Sequence, residues 1–465
     1  MEVTAHTSKS QHGPDERELR PGGGGRAPRP ASPALTLLAS LLGFALITLD
    51  ASVVNVALPT MGEALGGGMA GLQWVVDAYV LAFAALMLST GAFADRAGAA
   101  RAYGIGIALF TLASVACGLA PGLGALIAAR VVQGVAAAVV LPASLSLVRQ
   151  AHTDPARRAR AVSLWAAGGS AALALGPVAG GALTTAWDWR GIFFVNLPLG
   201  AVALLLLARA PRTERRPAPL DLPGQLTAVV SLTALTFAVI EGGTAGAVAG
   251  AVAVVAGALF LRVETRQPHP VVPLGLFRER TVAVAVAVGV ACSVAFYGLI
   301  FVFSLFFQQV QGRTALEAGL MFLPMTAVIV ATNVVAGRLA GRYGARLPML
   351  VGQAVAVPGL LLLLYVNRST PAVLLALLLV PVGVGVALTV PPLTSAVMEA
   401  VPAERAGVAA GVLNAARQVA GGLGIALFGA LLDGGFLVGL RVSLVVGAGV
   451  LVVTGVLTLR LRRPG

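Results

Sequence analysis

Apolar runs of about twenty residues recur along this chain from Leu35 to Leu461, each closed by glycine, proline or arginine. At about 1.5 Å per residue such a run makes a helix about 30 Å long, the thickness of a bilayer's hydrocarbon layer. A helix satisfies its own backbone hydrogen bonds, which hydrocarbon cannot do. Composition agrees, since 58% of residues are hydrophobic and 11% charged, against roughly 25% charged in a soluble chain. The unit of organisation is the spanning helix rather than the aqueous domain.

Reading the runs against their breakers predicts spans at 35–58, 73–94, 103–121, 122–148, 161–184 and 191–208. Two more follow at 224–243 and 245–261, and six at 281–309, 316–337, 348–366, 372–398, 406–431 and 442–459. The expected fold is an all-α membrane protein of fourteen transmembrane helices, two six-helix bundles with two additional central helices. Residues 34–208 form the first bundle, 209–280 a linker carrying the two extra helices, and 281–459 the second bundle. Residues 1–33 and 460–465 are expected to be cytoplasmic tails. The first tail is rich in Gly, Pro and Arg, without a short apolar core and cleavage site, and reads as disordered.

The basic residues give an independent check. With both ends inside, 26 of the 32 Lys and Arg fall in the tails and cytoplasmic loops, and the outer loops hold Arg190, Arg313, Arg368 and Arg441. By the positive-inside rule both termini are expected to be cytoplasmic, with the chain in an inner membrane. The net charge of +13 is therefore a matter of topology, and no nucleic-acid partner is expected, because the arginines are scattered among short loops.

The segment Gly91-Ala-Phe-Ala-Asp95-Arg96-Ala-Gly98 is echoed by Gly337-Arg-Leu-Ala-Gly341-Arg342-Tyr-Gly344, 246 residues later. Eight spans separate the copies, an even number, so the two six-helix blocks read as parallel repeats of the kind found in major facilitator transporters.

An ionised group deep in a membrane helix costs about 3 kcal/mol on insertion scales, so such groups form a functional shortlist. They are Asp50, Arg130 and Arg417, with Asp77 and Glu241 nearer the outer face. Asp50 and Arg130 each lie about 12 Å from the outer ends of the first and fourth spans, so they share a depth. One reading is a proton site, with the carboxylate tuned by the guanidinium; the other is a static ion pair. Arg417 sits among Gly407, Gly411, Gly421, Gly422 and Gly424 and reads equally as a substrate contact or as a donor to facing carbonyls. Glu241, beside Gly242 and Gly243, has the plain alternative of a solvated helix end, and Asp77 that of a hydrated interfacial carboxylate. In the fifth span, Gly176-Pro177-Val-Ala-Gly180-Gly181 combines a lost backbone donor with residues that permit close helix contact, as an ordinary kink or a gate.

Several chemistries are unsupported. Cys117 and Cys292 lie far apart in apolar runs, which points to packing rather than a disulfide, a metal or a nucleophile. His6, His12, His152 and His269 lie in tails or loops, away from any converging catalytic set. There is no phosphate-cradling G-x-x-x-x-G-K-[ST], and Lys9 is the sole lysine. No cofactor, metal or enzymatic activity is expected, and an ion gradient is the expected energy source.

Taken together these segments resemble the major facilitator superfamily, in its fourteen-helix drug:proton antiporter branch, from about Leu35 to Leu461. Leu49-Asp50-Ala-Ser-Val-Val54-Asn55-Val-Ala57-Leu58-Pro59 looks like the first-helix signature of that branch, with serine where threonine is usual. The resemblance implies a coupling role for Asp50 and a path-lining role for Asn55. Gly91-x-Phe-Ala-Asp95-Arg96-x-Gly98-x-x-Arg101 resembles the loop that latches the two halves in the outward-facing state, with Ala99 and Ala100 in place of basic residues. Leu126-x-x-x-Arg130-x-x-Gln133-Gly134 is similar to the fourth-helix signature, whose arginine is the proton-relay residue. Gly176-Pro177-x-x-Gly180-Gly181 looks like the antiporter signature, and Val412-Leu-Asn414-Ala-Ala-Arg417-Gln418 and Trp189-Arg190-x-Ile-Phe-Phe-x-Asn196-x-Pro198-x-Gly200 resemble the fourteen-helix branch, with antibiotic-resistance exporters of the methylenomycin type nearest.

The resemblance implies a monomeric, proton-coupled exporter of drug-like amphipathic small molecules working by alternating access. Asp50 and Arg130 would couple protons, and Asn55, Asp77, Gln133, Asn414, Arg417 and Glu241 would lie along the substrate path. A narrow-specificity metabolite or siderophore transporter of the same fold, and a membrane-embedded lipid enzyme, remain as alternatives. Helices nine to eleven carry no deep carboxylate, Glu317 being at an outer end, which disfavours dicationic cargo and leaves neutral, anionic and monocationic compounds open.

Overall fold

A computed structural model describes residues 32–461 apart from 153, 210–220, 269 and 271. The expected tails before residue 32 and after 461, and most of the basic break Arg209–Arg216, lie outside the described residues.

The first seven helices are α1 (Pro33–Leu65), α2 (Met69–Ala97), α3 (Ala99–Gly118), α4 (Leu123–Ala151), α5 (Pro155–Ala186), α6 (Gly191–Phe194) and α7 (Asn196–Leu207). A hairpin follows, α8 (Leu222–Glu241) and α9 (Gly243–Glu264). The second half comprises α10 (Arg280–Leu305), α11 (Ala315–Tyr343), α12 (Arg346–Leu362), α13 (Ala372–Glu399), α14 (Ala403–Leu431) and α15 (Phe436–Leu459). Local chemistry sets several of these ends. Asp154 accepts from Arg157 N ahead of α5, at 2.8 Å, and Thr314 with Glu317 forms a reciprocal capping box at the start of α11.

Twelve of these helices are long and apolar enough to cross a membrane. The expected sixth span is instead a shorter apolar stretch, Gly191–Leu207, divided into α6 and α7. The expected thirteenth span is α14, 29 residues long; its glycines together with Asn414, Arg417 and Gln418 dilute its hydropathy, and it is not among the twelve.

The repeat read from the sequence has a structural counterpart. In the first bundle α1 packs on α5, α2 on α4, and α3 on α4 and α7; in the second α10 packs on α14, α11 on α13, and α12 on α13 and α15. Exchanging the halves maps each pairing onto its counterpart. It also exchanges the two main seams between bundles, α2 against α14 and α5 against α11. Gly98 and Gly344, 246 residues apart, both have positive φ (86° and 75°) at the turn from the second to the third helix of their bundle. Only glycine adopts that conformation without strain, which is why the echo survives at those positions. The α8–α9 hairpin packs through α8 on both α2 and α14, so it lies across one seam.

Contacts between the bundles gather at the end opposite the Gly98 and Gly344 turns. Gln73 Nε2 donates to the carbonyls of Ile425 and Ala426 (3.3 and 2.7 Å), Ser304 Oγ to Asn55 O (2.6 Å), and Gln308 Nε2 to Val56 O (2.9 Å). A Cβ added to Gly181 of α5 would lie 2.7 Å from Leu316 Cα of α11, so this seam closes only because residue 181 has no side chain. Towards the other end Gly91, Gly337, Gly341 and Gly407 face open space.

Candidate functional site

The helical registers of α1 and α4 bring Asp50 and Arg130 together inside the first bundle, both with no solvent exposure. Arg130 Nη1 donates to Asp50 Oδ2 at 2.5 Å and to Gln133 Oε1 at 2.8 Å, and Arg130 Nε donates to Val75 O at 3.0 Å. The other carboxylate oxygen, Asp50 Oδ1, accepts from Gln133 Nε2 (3.2 Å) and from Asn196 Nδ2 (2.8 Å). Ser114 Oγ accepts from both amides. The Tyr79 ring lies 4.3 Å from the guanidinium carbon and closes one side. A charge-assisted network of this kind offsets the cost of removing both ions from water, because nearly every polar atom has a partner. Arg130 Nη2 and Asn196 Oδ1 are the exceptions, each without a partner among the described residues.

Immediately beside this cluster is a cavity of about 230 Å³ between the bundles. Its walls come from α1, α5, α10, α11, α13 and α14, and Ala51 and Ser52, next to Asp50 in the chain, belong to it. Apolar groups such as Phe296, Ile300, Ile329 and Val390 make up most of the surface. Polar groups are few, among them Asn55, Ser293, Tyr297 and Asn333, and among the described residues Arg417 is the one charged residue on the wall. A mostly apolar concavity with a handful of polar groups is the usual form of a small-molecule site.

The remaining shortlisted residues are dispersed. Asn55 lines the cavity and its Oδ1 has no partner among the described residues. Gln133 belongs to the Asp50 cluster rather than the cavity wall. Asn414 is exposed and off the wall. Glu241, at the exposed end of α8, accepts from Trp74 Nε1 at 3.2 Å, which ties the hairpin to α2 and fits the helix-end reading. Asp77 is fully buried, not hydrated as an interfacial carboxylate would be; it faces α14 near Gly422, and neither of its oxygens has a partner among the described residues. Of the latch residues, Arg96 and Arg101 are exposed and enter no ion pair among the described residues; the side chain of Asp95 lies outside those described. Gly176 and Gly180 receive Ser52 and the Val53 backbone of α1, while Gly181 receives α11, so the Gly-Pro segment packs on both neighbours at once. Pro177 itself lines the cavity, and its carbonyl is covered by Gly319 of α11.

Sequence reasoning missed Asn196, Ser114 and Tyr79 as partners of the ion pair, and Cys117, whose thiol donates to Gln133 Oε1 at 3.1 Å. Cys292, assigned to packing, is buried and also lines the cavity. A signal for the wall was present: Ser170, Leu173, Ala174 and Pro177 on α5, and Ser293, Phe296, Tyr297 and Ile300 on α10, recur at helical spacing and hence on one face.

Comparison with known proteins agrees with this arrangement. The family model described as Major Facilitator Superfamily matches residues 40–425. The multidrug resistance protein Stp of Mycobacterium tuberculosis is 42% identical over 407 residues, 86% of this chain and 75% of its own length. The methylenomycin A resistance protein of Streptomyces coelicolor is 39% identical over 416 residues, 88% of this chain and 87% of its own. The drug efflux pump JefA of M. tuberculosis is 36% identical over 411 residues, 85% and 80% of the respective chains. Among solved structures, a bacterial homolog of the human lysosomal transporter Spinster, inward-facing and occupied, superposes with a TM-score of 0.68 at 17% identity over 92% of this chain and 97% of that one. A D-xylose-proton symporter gives 0.69 at 14% identity, over 92% and 98%. This chain, an all-helical, multi-pass membrane protein, belongs to the Major Facilitator Superfamily.

Proposed function

We propose that the protein exports drug-like amphipathic molecules across a bacterial cytoplasmic membrane in exchange for entering protons, by alternating access. It acts as a transporter and not as an enzyme. The observation that carries the reading is the mostly apolar cavity shared by both bundles, with the buried Asp50–Arg130 pair one residue behind its wall. A proton arriving on Asp50 removes the charge that Arg130, Gln133 and Asn196 hold, and so alters the packing of α1 against α4 and α7 beside the bound molecule. The names of the relatives, a multidrug resistance protein, a methylenomycin A resistance protein and a drug efflux pump, support the cargo class. Fourteen crossings are supported by adding the α6–α7 pair and α14, both packed within their bundles, to the twelve apolar helices. With the arginine-rich turns on the inside, both termini are cytoplasmic, and the end where Gly91, Gly337, Gly341 and Gly407 face open space opens to the cytoplasm. A single chain suffices, with no cofactor and the proton gradient as the energy source.

The test is expression in an efflux-deficient bacterial host against a broad antibiotic panel, with and without a proton uncoupler, followed by reconstitution with a compound so identified. Export against a gradient is expected to need an imposed pH difference. The Asp50→Asn protein is expected to lose it while retaining downhill exchange. Asp50→Asn vesicles that still concentrate the compound under the pH difference would overturn the role given to Asp50.

A further inference from the structure

The cavity carries an unbalanced charge. Arg417 enters no ion pair or hydrogen bond with a described residue, and its Nε is buried without an acceptor. The position is built to hold it: a Cβ at Gly289 of α10 would lie 3.0 Å from Arg417 Cγ, so the glycine leaves room for the stem. Among the described residues no aspartate or glutamate lines the cavity. Asp50, the acid nearest in sequence to the wall, is already held by Arg130, and Asp77 faces Gly422, five residues further along α14, without pairing with Arg417. A guanidinium cannot shed its charge, and Arg417, half-buried in a mostly apolar wall, gains from a ligand group that pairs with it. Other donors lie on the same wall, the Ser293 hydroxyl, which has no partner among the described residues, and the Asn333 amide.

We propose that this cavity takes an organic monoanion, an amphipathic molecule whose carboxylate pairs with Arg417 while its apolar skeleton packs on Phe296, Ile300, Ile329 and Val390. This rests on the reading of the cavity as the cargo site and narrows its chemistry. Planar, two-pronged donation from guanidinium to carboxylate supplies both the energy and the orientation. A cationic head group in the same place would meet Arg417 with no carboxylate to offset the repulsion.

The test uses three probes with one naphthalene skeleton: 1-naphthaleneacetic acid, 1-naphthaleneacetamide and 2-(1-naphthyl)ethylamine, at neutral pH. Equilibrium binding to the purified full chain in detergent is measured by dialysis, with no proton gradient involved. The acid is expected to bind at least about tenfold more tightly than the amide, and the amine most weakly. In Arg417→Gln the acid loses more affinity than the amide, so that their ratio falls towards one, and Arg417→Lys keeps part of the preference. The wild-type ranking stands independently of whether either variant folds. Binding of the amide or amine as tight as the acid in the wild type overturns the anion assignment and leaves the cavity as a drug site. An unchanged acid-to-amide ratio in a folded Arg417→Gln protein also overturns it. Binding of none of the three removes both the assignment and the cargo-site reading.

Discussion

Asp50 and Asp77 are both buried aspartates within a few turns of the same end of the molecule, yet their surroundings are opposite. Asp50 lies inside the first bundle and receives hydrogen bonds from a guanidinium and two amides contributed by α4 and α7. Asp77 lies on α2 where it meets α14, and no described donor reaches either oxygen. Asp50 keeps its partners as long as its own bundle stays folded. Asp77 depends on how the two bundles meet, so its surroundings change whenever the seam opens. The difference teaches that a buried acid inside one body is part of an assembly, whereas one between two bodies senses their separation.

The sharpest way to break that contrast is to remove a partner from each region. Arg130→Ala leaves the Asp50 carboxylate buried without a counter-charge and is expected to cost about 3–5 kcal/mol, read as a large fall in the melting temperature of the purified protein. Adding Asp50→Asn to it is expected to recover much of the loss; if the double variant is no more stable than the single one, the pair is not the unit described here. Gly181→Val comes next, at about 1–3 kcal/mol of overpacking. Its effect falls on the seam with α11, so a distance probe between α5 and α11 at that end is expected to lengthen. Gly180→Val presses on Val53 within the bundle and is expected to lower stability without moving that distance.

Gln73→Ala removes two hydrogen bonds across the seam and is expected to cost about 1 kcal/mol, with a shift towards conformations open at that end. Asp77→Asn has the smallest cost, none or a gain in stability, because it replaces a buried carboxyl group that no described donor reaches with a neutral group of the same shape. A melting temperature that falls as far as in Arg130→Ala would show that Asp77 is held as firmly as Asp50, and the contrast would collapse.

The reach of sequence reasoning differed between these regions. Asp50 and Arg130 were placed at one depth by counting residues from helix ends, because a helix advances by a fixed rise and the bilayer fixes where it begins. Asn196 could not be assigned the same way, since its span is broken at Val195 and its reach to Asp50 depends on how α7 lies against α1. Asp77 resembled a hydrated interfacial group because its distance from the helix end is short; only the packing of α14 over it removes the water. Arg417 carries two readings for the same reason; the tertiary structure adds that it shares the cavity wall with Ser293 and Tyr297.

The sequence by itself determined that the chain lies in a bilayer, where most of its helices begin and end, and that its halves repeat, because hydrophobic length and the glycine at a positive-φ turn are properties of short segments. Which helices touch, which buried charges find partners and where the cavity lies were decided by the tertiary structure alone. Those outcomes depend on the rotation and tilt of each helix against its neighbours, and side chains hundreds of residues apart set both.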